Sequence, residues 1–173
     1  QKGRFYWAAS EQGWQRPAKT EPYVPQNLRQ KYSGINYLVI AADEFWSQAQ
    51  ALLALHSGET RLQPAAAVKL SWIYNEFSFG LKDPSAIRKF LDHIYLNSGF
   101  TSPGRCLLFG DGSNDYREID KTWGRHNFIP THQEDAMRLE LGEYLFDSFD
   151  DWYVRLGGLY LPQLIFARIP AKS

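Results

Sequence analysis

Short apolar runs rich in β-forming residues alternate along this chain with stretches of helical periodicity. The runs occupy residues 35–40, 65–70, 106–109 and 163–169. A mostly apolar run such as 35–40 is typical of a strand buried on both faces of a parallel sheet. Parallel neighbours need long crossover connections, and the stretches between the runs are long enough to supply them as helices. The sequence therefore predicts an α/β fold with a mainly parallel sheet and helices on both faces.

Two long helices are predicted between these strands. The first follows Asp43, which is placed to cap it, and carries an apolar stripe from Phe45 to an end near residues 57–58. The second has Asp83 at the N-cap and Pro84 at its first helical position.

Two further segments have weaker signals. Residues 72–77 are predicted as a turn of helix or an ordered loop closed by Gly80. Residues 116–162 lack a clear periodicity and are predicted to be irregular, in a segment long enough to shape a binding face or an interface.

Length and composition limit the class of protein. The 173 residues fit one domain, and an apolar fraction of 44% excludes a disordered chain. Nineteen acidic and nineteen basic side chains without a basic cluster argue against a nucleic-acid partner. The longest apolar run, residues 37–42, is too short to cross a bilayer. Gln1 stands where an initiator Met would be, with no signal-peptide pattern after it, so we expect a piece of a longer protein.

The glycine-rich turn at residues 110–115 follows an apolar strand, where open α/β sheets bind ligands. Its sequence fits the GDGxND pattern of haloacid-dehalogenase-type phosphatases, whose acidic residues hold magnesium. Those enzymes also need two carboxylates at the end of the first strand, as nucleophile and as general acid. Here Asp43 comes late and Phe45 stands in the second position, so the phosphatase is a distant alternative.

Calcium is a second candidate ligand of this turn. Asp111, Ser113 and Asp115 alternate like the first ligands of an EF-hand, but Tyr116 and Thr122 stand where that loop needs Gly and Glu. A calcium site of another type at Asp111 and Asp115 stays open. The alternative is that Asp111 accepts backbone N–H bonds within the turn while both glycines take positive φ angles.

The sequence shows no motif or spacing that is typical of a nucleophilic cysteine or a zinc site. Cys106 lies in an apolar strand, where burial raises the pKa of a thiol and makes it unreactive. The four histidines lack the spacing of a zinc site; they are His56, His93, His126 and His132. The acidic pairs at residues 134–135 and 150–151 are interpreted as solvated loop charges.

Seven motifs, in order along the chain, support a more specific hypothesis. They are NLR (27–29), NYLVI (36–40), IYNEFSFG (73–80), SAIR with FL (85–88, 90–91), LLFGDGS with DY (107–113, 115–116), NFIPT (127–131) and RIPA (168–171). This succession resembles the gingipain-type cysteine peptidases, most closely the branch with the type IX secretion sortases of the Bacteroidetes cell surface. Two departures are Ala167, where relatives usually have Gly, and residues 156–162, which replace a loop that is often acidic. The second departure weakens the case for calcium near that loop.

The resemblance implies a caspase-like catalytic domain of two α/β halves, with this chain as the first half. Residues 1–34 would be an entry segment, which can belong to a preceding domain, and residues 35–173 the first subdomain. The catalytic Cys and His would belong to a downstream half-domain, so no catalytic residue is assigned in this chain. The parent would be a secreted or outer-membrane-associated surface enzyme acting on protein or peptide substrates. It would need no cofactor apart from the calcium that the family binds.

Three further expectations accompany this hypothesis. Residues 111–160 would contribute walls of the substrate pocket. An isolated half-domain would expose an apolar flank and self-associate. The alternative from another class is a non-catalytic pseudopeptidase scaffold or surface interaction module, which keeps the fold without the catalytic pair.

Overall fold

A four-stranded parallel sheet organises the computed structural model. The structure describes residues 22–97, 99–113, 127–138 and 143–172, together with residues 8, 10, 13, 20, 115 and 119. The helices are α1 (Leu28–Lys31), α2 (Trp46–Leu55), α3 (Leu70–Ser78) and α4 (Pro84–Leu96). The strands are β1 (Ile35–Ala41), β2 (Ala65–Lys69), β3 (Phe100–Phe109), β4 (Gln133–Arg138), β5 (Glu143–Ser148) and β6 (Ile165–Ile169). Short 3₁₀ helices cover Asp43–Phe45, Thr60–Leu62 and Asp150–Val154.

The strand order in the sheet is β2-β1-β3-β6, and all three pairings are parallel. Helix α2 covers one face, where Ala49 packs with Val39, Ala41 and Leu107. Helices α3 and α4 cover the other face, where the alternate strand residues Leu38 and Ile40 join the larger core. The predicted α/β class, with a mainly parallel sheet and helices on both faces, is confirmed.

Helix α4 follows its sequence signals closely. The Asp83 carboxylate accepts hydrogen bonds from the Ser85 backbone N–H at 2.8 Å and from the Ser85 hydroxyl at 2.6 Å. Burial opposes ionisation of Asp83, but these bonds outweigh it and hold the pKa of its carboxyl below the usual value. Pro84 occupies the first turn, and Ile87, Phe90 and Leu91 are fully buried.

Several other elements differ from the sequence prediction. Residues 72–77 belong to a full helix, α3, and β3 begins six residues earlier than expected, at Phe100. The segment expected to be irregular contains an antiparallel hairpin of β4 and β5. Asp43 does not cap α2; its carboxylate instead accepts from the Ser71 backbone N–H at 3.0 Å and the Ser71 hydroxyl at 2.6 Å, at the start of α3.

The described end of the entry segment packs on this half of the molecule. Leu28 of α1 is 1% exposed and belongs to the main core. The Glu76 carboxylate of α3 accepts the backbone N–H groups of Gln26 at 3.0 Å and Leu28 at 2.9 Å. The boundary at residue 34 stays a prediction, since these contacts do not say where a preceding domain would end.

Candidate functional site

The carboxyl ends of β1, β2, β3 and β6 meet at one edge of the sheet, which carries the glycine-rich turn. Gly110 donates its N–H to the Ile169 carbonyl at 3.0 Å, and Asp111 donates to Ala171 at 2.9 Å. Both bonds join the turn after β3 to the end of β6. The turn is therefore a rigid continuation of the sheet.

The two glycines of the turn are needed for different reasons. Gly110 has a φ of 148°, which L side chains rarely adopt. Gly112 has no such φ, but a Cβ atom there would lie 2.7 Å from the Ile129 carbonyl oxygen. The expectation that both glycines take positive φ is wrong for Gly112, where close approach of the chain is the constraint.

Asp111 uses its main chain, rather than its carboxylate, to organise the turn. Its carbonyl accepts the N–H groups of Phe128 at 3.1 Å and Ile129 at 3.0 Å. Its carboxylate lies 3.5 Å from the Lys172 ammonium group. Asp111 thus positions the segment 127–130 through backbone hydrogen bonds.

Asp111 and Asp115 are the residues at which the sequence predicts calcium. Asp115 donates its backbone N–H to the Ser113 hydroxyl at 3.2 Å. Among the described residues, no three His, Cys, Asp or Glu side chains form a group that could hold a metal ion. Calcium takes six to eight oxygen ligands, and two carboxylates supply only part of such a shell. Calcium at Asp111 and Asp115 stays a prediction.

Arg168, on β6, makes the densest set of polar contacts at this edge. Its guanidinium group binds both carboxylate oxygens of Asp150, at 2.5 and 2.7 Å. It also donates to the carbonyls of Gly110 and Ile129 at 2.9 Å and of Pro130 at 3.3 Å. The side chain is 11% exposed, so these bonds are largely shielded from water. Arg168 thereby joins β6, the glycine turn, the segment 127–130 and the 3₁₀ helix Asp150–Val154.

The acidic pair at residues 150–151 is not simply solvated. Asp150 is the partner of Arg168, and Asp151 forms an ion pair with Arg155 at 2.8 Å. The sequence carried one signal for the first of these contacts: an arginine inside a predicted strand requires a partner. It did not show which acid would be that partner. Glu134 and Asp135, the other pair, belong to strand β4.

The single cysteine is unsuited to nucleophilic attack, as the sequence predicted. Cys106 is 2% exposed in β3, and burial raises the pKa of its thiol strongly. A buried, protonated thiol is a poor nucleophile.

The described histidines are held in separate structural contacts. His56 Nδ1 lies 2.7 Å from the Glu59 carboxylate, and His93 Nε2 lies 2.9 Å from the Arg29 carbonyl oxygen. The His132 ring stacks on Trp152 with centroids 3.7 Å apart. His126 lies outside the described residues.

A cleft opens at the same edge, beside the end of β1, and we call it the switch-point cleft. Its polar lining residues are Asp43, Glu44, Ser71, Lys82 and Asn127, and its less polar ones are Leu70, Tyr74, Phe128 and Pro130. The connection after β1 leads to α2 on one face, whereas the connection after β2 leads to α3 on the other. Such a change of face leaves a crevice outside the strand ends, where open α/β sheets bind ligands. The cleft has a volume of about 180 Å³.

The sequence did not indicate that Tyr74 lines a cleft. Tyr74 was part of a recognised motif, but nothing in the pattern separated it from ordinary core aromatics. Only the tertiary structure brings Tyr74 into one cleft with Phe128 and Pro130.

Comparisons with known proteins agree with this architecture. The model of peptidase family C25 matches residues 30–173. Among solved structures, dimeric latent PorU from Porphyromonas gingivalis is similar, with a TM-score of 0.67 and 22% identity. The match covers 80% of this chain and 14% of that chain, so at this identity it shows a shared fold over a small part of a much longer protein. No curated protein matched the sequence.

Proposed function

Because the chain belongs to peptidase family C25, we propose that it forms the first α/β half of the catalytic domain of a gingipain-like cysteine peptidase or sortase-type transpeptidase. In such an enzyme a thiolate attacks a peptide carbonyl, a histidine accepts the proton, and a thioester forms. This half supports the reacting groups from the sheet edge and contributes walls of the substrate pocket. The burial of Cys106 carries the proposal, because it leaves the nucleophile to another segment of the parent.

The exposed flank of β6 supports a second half at that side. Within the described sheet, β6 is an edge strand. Ile165 is 54% exposed and Ile169 is 36% exposed. Arg168 of the same strand, by contrast, is bonded to the glycine turn. Apolar side chains on an unpaired strand edge are typical of a surface that another segment covers.

The family also suggests where the parent protein is located and what it acts on. We propose that the parent is secreted or attached to the cell surface and acts on protein or peptide substrates, as the resemblance to gingipain-type enzymes implies. None of the helices in the described part of the chain is long and apolar enough to cross a bilayer.

The direct test is peptidase activity of the parent protein and its Cys106→Ala variant. We expect the variant to keep its kcat/KM within about threefold, because a buried thiol takes no part in the chemistry. Replacing the cysteine that the family pattern assigns downstream should lower kcat more than about a thousandfold. Hydrolysis of a fluorogenic peptide library is the measurement. A parent without thiol-dependent hydrolysis, or one inactivated by Cys106→Ala with its fold intact, contradicts the proposal.

The β6 flank leads to a second prediction, for the 173-residue chain by itself. We expect it to self-associate, and Ile165→Lys to shift the equilibrium toward monomer because a charge on the exposed flank opposes burial. Sedimentation velocity over a concentration series measures this. Leu55→Lys is the matched control, since Leu55 is 77% exposed on α2, away from β6, and should leave association unchanged. A monomer at all concentrations, or equal effects of the two substitutions, would refute the role of the flank.

A further inference from the structure

The switch-point cleft offers a tyrosine hydroxyl group to a ligand. Tyr74 is 7% exposed and lines the cleft. Its hydroxyl forms no hydrogen bond with any residue that the structure describes, whereas that of fully buried Tyr153 donates to the Pro130 carbonyl at 2.6 Å. A hydroxyl group without a protein partner can both donate and accept hydrogen bonds. The Tyr74 hydroxyl is therefore available to a ligand in the cleft.

Two charged groups at the cleft are also available. Glu44 and Lys82 both line it, and within the described ranges neither takes part in an ion pair or a side-chain hydrogen bond. The carboxylate supplies acceptors and the ammonium group supplies donors. These opposite charges favour a ligand with both a donor and an acceptor.

Asp43, the other acidic residue that lines the cleft, does not attract a cation strongly. Both Asp43 oxygens already accept hydrogen bonds from Ser71, and the carboxylate lies at the N-terminus of the nine-residue helix α3. The positive end of the helix dipole stabilises a carboxylate there. The charges left for a ligand are those of Glu44 and Lys82, which balance each other.

The apolar part of the lining limits the ligand further. Leu70, Phe128 and Pro130 provide contact area beside the polar groups, and the volume of about 180 Å³ suits a single amino-acid side chain. Burial raises the pKa of the Tyr74 phenol, so the hydroxyl keeps its proton at neutral pH and can donate it.

We propose that the switch-point cleft binds an uncharged amide, the carboxamide of an Asn or Gln side chain in a peptide ligand. The amide oxygen accepts from Tyr74 and Lys82, and the amide N–H₂ group donates to Glu44. The peptide nature of the ligand rests on the proposed function. The preference for an amide rests on the groups of the cleft alone.

NMR titration of the ¹⁵N-labelled chain with N-acetylglutamine N-methylamide tests the proposal. We expect saturable shifts of the Ser71 and Phe128 amide signals, with a Kd on the order of millimolar for so small a ligand. The corresponding methionine, glutamate and lysine compounds share the main-chain amides and should bind more weakly. Their comparison isolates the contribution of the side-chain amide.

Tyr74→Phe removes only the hydroxyl and should weaken glutamine binding roughly threefold to tenfold. The variant should fold normally, because the lost group has no partner within the described part of the protein. Tyr95→Phe is the matched control; that hydroxyl lies 3.2 Å from the Gln163 side chain, and its loss should not alter binding.

Three outcomes would overturn the proposal: no saturable shifts, equal or tighter binding of the lysine or glutamate compound, or unchanged binding by Tyr74→Phe. Its failure is distinct from failure of the proposed function. If the parent is an active peptidase but the cleft does not bind the glutamine compound, only this inference is wrong. If the cleft binds the glutamine compound but the parent has no peptidase activity, only the proposed function is wrong.

Discussion

Replacing Arg168 with methionine is expected to lower the free energy of unfolding by about 3–5 kcal/mol, because it leaves a partly buried carboxylate without its partner. Asp150 is 27% exposed and loses both of its bonds to the guanidinium group. The carbonyls of Gly110 and Ile129 lose donors at 2.9 Å as well. Urea denaturation followed by circular dichroism measures the change.

Arg155→Met is the matched control for this experiment. Arg155 pairs with Asp151 at 2.8 Å, but the two side chains are 27% and 41% exposed. An ion pair with this much solvent contact contributes about 1 kcal/mol or less. If Arg168→Met costs no more than Arg155→Met, Arg168 does not hold this edge together.

A double variant separates the two contributions of Arg168. If the unpaired carboxylate causes most of the loss, Arg168→Met with Asp150→Asn should be more stable than the sum of the single effects implies. Strict additivity would show that the bonds to the backbone carbonyls dominate instead.

Replacing Phe90 with alanine is the second change with a large expected effect. Phe90 is fully buried in α4, and its ring packs edge-to-face against Tyr32 at 5.7 Å and Phe77 at 5.5 Å. Removing it creates a cavity between α1, α3 and α4, and we expect a loss of about 3–5 kcal/mol. The same denaturation experiment measures it.

Phe79→Ala makes the identical chemical change at the surface. Phe79 is 99% exposed at the end of α3, so its loss should alter the free energy of unfolding by less than about 0.5 kcal/mol. Phe90→Leu keeps most of the buried volume and should cost less than Phe90→Ala. Similar losses for Phe79→Ala and Phe90→Ala would show that the packing around Phe90 differs from the structure described above.

The sequence predictions were most accurate where a feature depends on residues close together in the chain, and least accurate where it depends on contacts between distant segments. Helix α4 was predicted with its cap because Asp83, Pro84 and the apolar stripe act within a few residues. Strand β3 was predicted too short because Pro103 and Gly104 normally interrupt strands. Pairing with β1 overrides that local preference, with a shift of register between Ile35 and Tyr37.

The candidate site was less predictable than the fold. The glycine turn was recognised, yet the cleft beside it depends on contacts between distant segments. Asp43 could have capped the next helix. The fold instead brings it to Ser71, which lies 28 residues further along the chain. Local sequence cannot choose between such partners, because both satisfy the carboxylate equally well.

The amino-acid sequence by itself determined the alternation of strands and helices, the glycine turn and the family of the chain. These features depend on periodicity, caps and motif order, which are encoded within short segments. Only the tertiary structure decided that Arg168 would join Asp150 to the glycine turn and that Tyr74 would border a cleft. The reason is that packing the sheet between its helices sets which distant groups meet, and a polar group in a shielded place must then find its partner among them.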